Sequence, residues 1–113
     1  MVIAVDFDGT IVEHEFPEIG EEIPHAIKTL KLLQADGHKL ILWTFRSGKE
    51  LDKAVKFCEK KGLEFFAVNA NFPGEVLNSS ISRKIYADIY IDDRNILGLP
   101  DWLTIYKLIK NRS

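Results

Sequence analysis

The chain begins with a short apolar run that ends abruptly in two carboxylates, and this junction most constrains its fold. Residues 2–5 read Val-Ile-Ala-Val, and residues 6–10 read Asp-Phe-Asp-Gly-Thr. A run of that length, rich in valine and isoleucine, predicts a buried strand of a parallel sheet. Carboxylates at the C-terminal end of such a strand lie where open α/β sheets bind their ligands.

Asp6 and Asp8 need a source of positive charge. Like charges this close repel each other, and neither carboxylate can be buried without a partner. A divalent cation supplies that partner, and a site built from oxygen atoms favours Mg²⁺. The same Asp-x-Asp-Gly sequence is also typical of an ordinary turn, because Asp bonds its own backbone and Gly accepts positive φ. The rest of the chain has to decide between the two interpretations.

Length and composition exclude several classes of protein. A chain of 113 residues with 46% hydrophobic residues predicts one domain with its own core. The net charge of −2 offers no electrostatic basis for binding nucleic acid, and no segment is apolar enough to predict a membrane span. Cys58 is the only cysteine, so no intramolecular disulfide forms, and a reducing cytoplasm is the expected location.

Strands and helices alternate along the chain, which predicts a mostly parallel sheet with right-handed crossovers. The first helix follows Pro24, the second has its buried face around Ala54, and the third is capped by Asp101. In that last helix we expect four side chains to point mostly inward. The predicted strands are residues 2–5, 39–43, 64–68 and 88–91, and the four inward positions are Leu103, Tyr106, Leu108 and Ile109.

Three of the predicted strands end in polar residues. Asp6 follows the first strand, Thr44 the second and Asp92 the fourth. In a parallel sheet these three ends lie on one edge, so their side chains converge. Independent turns would not all need an acid or a hydroxyl at this point, so the convergence favours a functional site.

These positions resemble the motifs of the haloacid dehalogenase-like hydrolase superfamily in order and in spacing. Its first motif, Asp-x-Asp-Gly-Thr after a strand, is matched by residues 6–10. Its second, a Ser or Thr that ends the next apolar strand, is matched by Thr44. The third is a basic residue ahead of the acidic strand, matched by Lys84 with Arg83 beside it as a rival. The fourth is an acidic pair after that strand, matched by residues 92–93.

The resemblance implies a fold and an activity. The fold is a Rossmann-like three-layer α/β sandwich with a mostly parallel sheet in the order 4-1-2-3 and helices on both faces. Residues 1–113 form one domain without a cap domain, because only residues 11–23 are available as a short flap. The activity is that of a magnesium-dependent phosphatase that hydrolyses a phosphate monoester through an aspartyl-phosphate. The expected substrate is a small phosphorylated metabolite such as a sugar phosphate.

The resemblance also implies roles for the acidic residues. Asp6 is the nucleophile, and Asp8 protonates the leaving oxygen and then activates water. Mg²⁺ is held by Asp6, by the main-chain carbonyl of Asp8 and by Asp92, with Asp93 as the alternative direct ligand.

A second group of residues is implied in binding the phosphoryl group. Thr44 donates a hydrogen bond to a phosphoryl oxygen, together with the backbone amide of Phe45. Lys84 neutralises the phosphoryl charge, or Arg83 does so in its place. Arg46 lies close behind the second strand and is a candidate for contacting a second anionic group of the substrate, or it is a surface arginine.

Other functions use similar residues. A phosphotransferase or phosphomutase shares the first step, and a signalling receiver domain has clustered acids on a similar sheet. A receiver places its acidic pair at the first strand, whereas this chain has it at the last, and a silent binding module would not need every reactive residue. Either a bulky substrate or a second subunit has to cover the site, and the apolar residues Phe16, Ile19 and Phe72 favour a homo-oligomer that borders it, with local packing of Phe72 beside Pro73 as the alternative. The three histidines, His14, His25 and His38, show no metal-ligand spacing and receive no role.

Overall fold

The first strand lies inside a four-stranded sheet, and helices follow the strands in the alternation that the sequence predicts. The computed structural model describes residues 1–74 and 86–112, and none of the helices in these ranges is long and apolar enough to cross a membrane. The third strand is much shorter than the predicted residues 64–68. The elements are β1 (Val2–Val5), α1 (Ala26–Ala35), β2 (Lys39–Leu42), α2 (Gly48–Lys60), β3 (Ala67–Val68), β4 (Ile89–Ile91) and α3 (Trp102–Arg112).

All strand pairs in the sheet are parallel. The order is β3-β2-β1-β4, which reads β4-β1-β2-β3 from the opposite edge. Val5 pairs with Leu42 on one side and with Ile91 on the other, so β1, β2 and β4 end at the same level. The residues that follow these strands therefore emerge side by side at one edge of the sheet.

The helices that the structure describes all pack against one face of the sheet. Ile3 and Val5 point to this face, since side chains alternate along a strand. They share one buried cluster with Leu30 of α1, Cys58 of α2 and Ile105 of α3. We predicted helices on both faces, and within the described residues this three-layer arrangement is not confirmed.

The opposite face of the sheet carries a smaller apolar cluster. Ala4 and Ile41, fully buried, pack there with Ala67 and Ala70. Because three of these four side chains are alanines, this face is much flatter than the face that receives the helices. Trp43 and the neighbouring aromatic rings extend this cluster towards the C-terminal edge of the sheet.

Helix α3 is rotated relative to the prediction. Leu103 and Leu108 are about half exposed (50% and 53%), whereas Trp102 and Ile105 are buried together with Ile109. The indole nitrogen of Trp102 donates a hydrogen bond to the carbonyl oxygen of Thr10 at 3.0 Å, which sets the helix phase. The expectation that Leu103 and Leu108 point inward was therefore wrong, because the i, i+3, i+7 face that starts at Trp102 is the buried one.

The flap, residues 11–23, is a loop whose two ends are tied together. Ile23 donates its amide to the Ile11 carbonyl at 2.8 Å, and Glu13 donates to the Glu21 carbonyl at 2.7 Å. At Gly20 a Cβ atom would lie 2.3 Å from the Glu13 carbonyl oxygen, so only glycine allows this close approach. The flap therefore has a defined path close to the edge of the sheet where β1 ends.

Candidate active site

Three carboxylates meet at the C-terminal ends of β1 and β4. Asp6 follows β1, and Asp92 and Asp93 follow β4, with one oxygen from each lying within 4.8 Å of the others. We call these three residues the acidic cluster. The parallel pairing of β1 with β4 brings them together, because it aligns Val5 with Ile91 and hence the residues that follow each.

Gly9 allows Asp93 to approach the first motif closely. Its φ is +83°, and a Cβ atom at this position would lie 2.3 Å from Oδ2 of Asp93. The other carboxylate oxygen of Asp93, Oδ1, is buried and has no hydrogen-bond partner among residues 1–74 and 86–112. A buried carboxylate oxygen without a partner is costly, so the described part of the site lacks a positive group at this point.

Asp6 shows the same lack of positive charge. Burial of its carboxyl and the nearby charges of Asp92 and Asp93 raise its pKa to about 7, against the effect of a backbone hydrogen bond at Phe7. Within the described residues, the side chain that donates to Asp6 is the hydroxyl of Thr10, 3.3 Å from Oδ2. A divalent cation among these oxygens would relieve the repulsion and the desolvation together, so the donor set fits a hard cation such as Mg²⁺.

Thr44 lies beside the acidic cluster at the end of β2. Its amide donates to Oδ1 of Asn69 at 2.8 Å, and its hydroxyl oxygen accepts the amide hydrogen of Arg46 at 3.1 Å. Because the hydroxyl oxygen is used as an acceptor, its own hydrogen remains available to a ligand. Asn69, which adopts a left-handed φ of 49°, therefore helps to place Thr44 from the end of β3.

Arg46 lies beneath the site and makes no contact with the cavity. Its Nε and Nη2 donate to the two carboxylate oxygens of Asp8 at 2.7 and 2.8 Å, a bidentate pair with both side chains fully buried. Nη2 also donates to the carbonyl of Glu18, and Nη1 donates to the carbonyls of Pro17 and Glu50. All five guanidinium N–H groups are thus used, and we call this arrangement the arginine clamp.

Aromatic rings complete the clamp. The guanidinium carbon of Arg46 lies 5.2 Å from the ring centre of Phe7 and 5.0 Å from that of Phe16. Phe16, in the flap, also packs on Phe45 with ring centres 4.9 Å apart. The sequence left two interpretations of Arg46 open, a contact with a second anionic group of the substrate or a position on the surface. The structure corrects both, because the guanidinium is buried and every donor is engaged within the protein.

A cavity of about 300 Å³ opens above the acidic cluster. Asp8 exposes only 3% of its surface and none of its side chain, so it contributes main-chain atoms to the cavity wall. Asp93 does not line it. The lining residues are Asp6, Asp8, His14, Trp43, Thr44, Phe45, Asp92 and Arg94.

Sequence reasoning missed two of these residues. His14 was assigned no role because its spacing matches no metal site, and Arg94 was not considered, although it directly follows the acidic pair. That adjacency could have identified Arg94, since its amide donates to Oδ1 of Asp92 at 2.8 Å. The two predicted phosphate-binding cations, Arg83 and Lys84, lie outside the described residues.

Comparison with solved structures places this chain in a family. A conserved protein from Bacteroides thetaiotaomicron has the same fold with a TM-score of 0.93 and 57% sequence identity, and the match covers 100% of this chain and 92% of the other. At this identity and coverage, the chain belongs to the same protein family as that relative. No family model and no curated protein matches the sequence.

Proposed function

We propose that this protein is a magnesium-dependent phosphatase that hydrolyses a phosphate monoester through an aspartyl-phosphate on Asp6. One observation carries the proposal. The acidic cluster at the ends of β1 and β4 and the Thr44 hydroxyl at the end of β2 stand at one edge of the sheet, and Asp6, Asp92 and Thr44 line one cavity. The resemblance to haloacid dehalogenase-like hydrolases in motif order and spacing supports the same function.

The acidic cluster supports the choice of metal. Asp6 and Asp92 would hold Mg²⁺ together with the main-chain carbonyl of Asp8, and the exposed surface of Asp8 consists of main-chain atoms. Asp93 is the alternative direct ligand, and its Oδ1, which none of the described residues contacts by a hydrogen bond, favours a role next to the cation. When bound, Mg²⁺ supplies charge neutralisation between an anionic nucleophile and an anionic substrate.

Residues of this chain would carry out the phosphoryl transfer. Asp6 attacks phosphorus and forms the aspartyl-phosphate, held in place by the Thr10 hydroxyl. The Thr44 hydroxyl and the Phe45 amide would bind phosphoryl oxygens, which stabilises charge where it develops. Lys84 or Arg83 is the proposed cation for the phosphoryl group.

The proton transfers are the step that the resemblance assigns to Asp8. In this structure both carboxylate oxygens of Asp8 are bonded to Arg46, and none of the side chain is exposed. A general acid must lie within hydrogen-bond reach of the oxygen that it protonates. Asp8 could serve as the acid only if its carboxyl group left the arginine clamp.

The cavity suits a small substrate. A volume of about 300 Å³ is at the lower end for ligand pockets, which fits a sugar phosphate or a metabolite of similar size. The flap has only 13 residues and cannot form a separate cap, so we propose that a second subunit covers the site. Phe16 and Phe72 offer exposed apolar surface for this contact, with 41% and 52% of their area exposed.

Alternative functions find less support. A phosphotransferase or phosphomutase would share the attack by Asp6 and differ only in the acceptor. A receiver domain would need a phosphorylated carboxylate at the end of its middle strand, and that position is Asn69, whose side chain is used to hold Thr44. No observation favours a binding module without catalysis.

The test is hydrolysis of a panel of phosphorylated metabolites with and without Mg²⁺. Wild-type protein should release inorganic phosphate only with Mg²⁺, and Asp6→Asn should abolish release while the circular dichroism spectrum stays unchanged. Asp52→Asn, an exposed position on α2, is the matched control and should retain full activity. Release that persists in purified Asp6→Asn would refute the proposal. Transfer of phosphate to an added alcohol at rates above hydrolysis would favour the phosphotransferase.

A further inference from the structure

The cavity above the acidic cluster continues into a second pocket that the proposed phosphoryl transfer does not use. Three residues line both spaces, and two more complete the second, which has a volume of about 270 Å³ and which we call the side pocket. The shared residues are Trp43, Asp92 and Arg94, and the other two are Tyr90 and Asn95. Asp6 and Thr44 line the first cavity but not the side pocket, so the side pocket lies beyond the position of the phosphoryl group.

The side pocket has an aromatic wall that the pairing of the strands creates. Ile41 of β2 and Tyr90 of β4 both pair with Ala4 of β1, from opposite sides. Trp43 lies two residues beyond Ile41 and therefore stands on the same face of the sheet. The small side chain of Ala4 leaves room for the rings of Trp43 and Tyr90 to meet, with their centres 5.5 Å apart. A wall of this kind packs against the apolar framework of a ring in a ligand.

Arg94 brings a permanent positive charge to both spaces. Its amide donates to Oδ1 of Asp92 at 2.8 Å, and Nδ2 of Asn95 donates to the carbonyl of Asp92 at 2.9 Å, so the loop that carries Arg94 has a fixed path. The guanidinium makes no hydrogen bond or ion pair with residues 1–74 or 86–112, although Asp92 and Asp93 directly precede it. Their carboxylates belong to the acidic cluster, which leaves the guanidinium available to an anionic ligand.

The planar guanidinium selects the chemistry of that ligand. Its fork of N–H groups matches a carboxylate or a phosphate, which it binds through two parallel hydrogen bonds. The cation proposed for the transferred phosphoryl group is Lys84 or Arg83, so Arg94 is free to bind a different anionic group. Because Arg94 also lines the side pocket, that group belongs to the part of the substrate that leaves.

We propose that the substrate is a phosphate monoester whose leaving group carries a second anionic group, a carboxylate or a phosphate, bound by Arg94. A ring of the same leaving group packs on Trp43 and Tyr90. This inference rests on the proposed function and narrows its substrate class. A simple sugar phosphate would occupy the aromatic wall and leave the guanidinium unpaired, whereas a phosphorylated sugar acid or a sugar bisphosphate would use both.

Two esters that differ by one carboxylate test the proposal. Phenyl phosphate and 4-carboxyphenyl phosphate present the same ring to Trp43, and only the second offers an anion to Arg94. With Mg²⁺ present, the wild-type protein should have a kcat/KM about 10- to 100-fold higher on the carboxylated ester, as expected for hydrogen bonds between charged groups. Arg94→Gln should remove this preference by losing activity on the carboxylated ester, and its kcat/KM on phenyl phosphate should stay close to that of wild type.

Two matched variants accompany this test. Arg94→Lys keeps the charge but loses the planar fork, so it should retain a smaller preference for the carboxylated ester. Arg112→Gln removes an exposed arginine at the end of α3 that does not line the active-site cavity, and it should match wild type on both esters.

A third ester, 1,4-phenylene bisphosphate, identifies the anion. It offers a second phosphate in place of the carboxylate. A higher kcat/KM than that of 4-carboxyphenyl phosphate would support a bisphosphorylated substrate, and a lower one would support a phosphorylated acid.

Binding of a phosphonate gives a readout that does not depend on turnover. 4-Carboxybenzylphosphonate cannot be hydrolysed, because carbon replaces the bridging oxygen. Added to the Mg²⁺-loaded protein, it should shift the indole N–H signal of Trp43 in the NMR spectrum. The signal of Trp102, which is buried and bonded to the carbonyl of Thr10, should stay in place. The Kd should be lower than that of benzylphosphonate by about 10-fold or more, and Arg94→Gln should make the two equal.

Four results would count against the inference. Equal losses on both esters in Arg94→Gln would overturn it, because Arg94 would then act on the transferred phosphoryl group. Equal affinity of the wild type for the two phosphonates, or an unmoved Trp43 signal, would also overturn it. Hydrolysis of both esters with Mg²⁺ but without preference would refute only this inference. Wild-type protein inactive on every ester would refute the phosphatase itself, and tighter binding of the carboxylated phosphonate that depends on Arg94 would still support the side pocket as an anion site.

Discussion

The acidic cluster and the arginine clamp both include an aspartate of the motif at residues 6–10. The negative charges of the cluster are not balanced, whereas the charge of Asp8 in the clamp is fully paired. Asp6 faces two further carboxylates, its pKa is raised to about 7, and Asp93 beside it has an oxygen with no partner in the described part of the chain. Asp8, two residues later, is paired at both oxygens with a guanidinium whose five donors are all used. One region stores repulsion that a cation would relieve, and the other is complete without any ligand.

This difference distinguishes a region that is suited to bind a ligand from a region that stabilises the fold. An electrostatically incomplete cluster costs stability in the empty protein and gains it on binding, which is typical of a functional site. A fully paired buried ion pair is neutral in charge and holds segments distant in sequence in one geometry. Stability measurements on the two regions should therefore respond in opposite directions to the loss of one charge.

The largest effect is expected from breaking the clamp. Arg46→Met should lower the free energy of unfolding by about 3–5 kcal/mol, because the Asp8 carboxylate is left buried without a partner. Urea denaturation measures this change. The exposed pair of Lys53 with Glu50, 3.8 Å apart, is the control, and Lys53→Met should cost less than about 1 kcal/mol. Equal effects in the two variants would mean that the clamp is not a buried ion pair.

A double variant sharpens this result. Asp8→Asn alone should also be strongly destabilising, since it leaves the Arg46 charge unpaired. The combination of Asp8→Asn with Arg46→Met should cost clearly less than the sum of the two single changes, because the groups act as one unit. Additive costs would contradict the pairing seen in the structure.

The next effect tests the close approach in the acidic cluster. Gly9→Ala should cost about 2–3 kcal/mol, because it adds the strain of positive φ to a contact of 2.3 Å with Asp93. Gly98→Ala is the matched control, with φ of +72° and open space around the new Cβ, so it carries only the backbone strain. Mg²⁺ affinity, measured by calorimetry, should fall in Gly9→Ala and stay unchanged in Gly98→Ala. Unaltered affinity in both would remove Asp93 from the metal site.

Removing the central charge of the cluster should stabilise the protein. A raised folded-state pKa means that Asp6 stays protonated in the folded protein up to about pH 7, while it ionises near 3.8 when unfolded. Its favourable contribution is therefore present below pH 4 and is lost as the pH rises to about 7. Asp6→Asn should raise the free energy of unfolding of the metal-free protein at pH 8 by about 2 kcal/mol, a value reduced for solvent screening of a partly exposed carboxylate.

The pH dependence provides the check. Thermal unfolding of both proteins at pH 4, 6 and 8 in the presence of a chelator should show the difference grow with pH. Asp52→Asn should show no such trend. A difference that is constant over this range would mean that Asp6 titrates normally and that the cluster stores no repulsion.

The smallest effect is that of the cation. Mg²⁺ at about ten times its Kd should stabilise the wild-type protein by about 1.4 kcal/mol, since a ligand that binds only the folded state stabilises it by mass action. The same ionic strength of NaCl is the control and should shift the melting temperature much less. Asp92→Asn should lose the shift. A melting temperature that does not respond to Mg²⁺ in the wild type would argue against a hard cation in the acidic cluster.

The amino-acid sequence determined the elements that bring the cluster together. Residues 2–5 form the strand that they predict, and the polar residues at 6, 44 and 92 mark three strand ends at one edge of the sheet. Whether a segment forms a strand, and which polar residue follows it, are local properties. The sequence pattern therefore predicts both. The resemblance to a known superfamily added chemical roles for these residues, and those roles stay predictions.

Only the tertiary structure shows which residues surround the acidic cluster. Asp8 and Arg46 are 38 positions apart, and nothing local in the sequence shows that each is the partner of the other. The exposed leucines of α3 were misjudged for the same reason. Helix phase follows from the hydrogen bond of Trp102 to Thr10, and the position of His14 follows from carbonyl groups held by Arg46. Backbone carbonyls are the same in every residue, so contacts made to them leave no trace in the sequence.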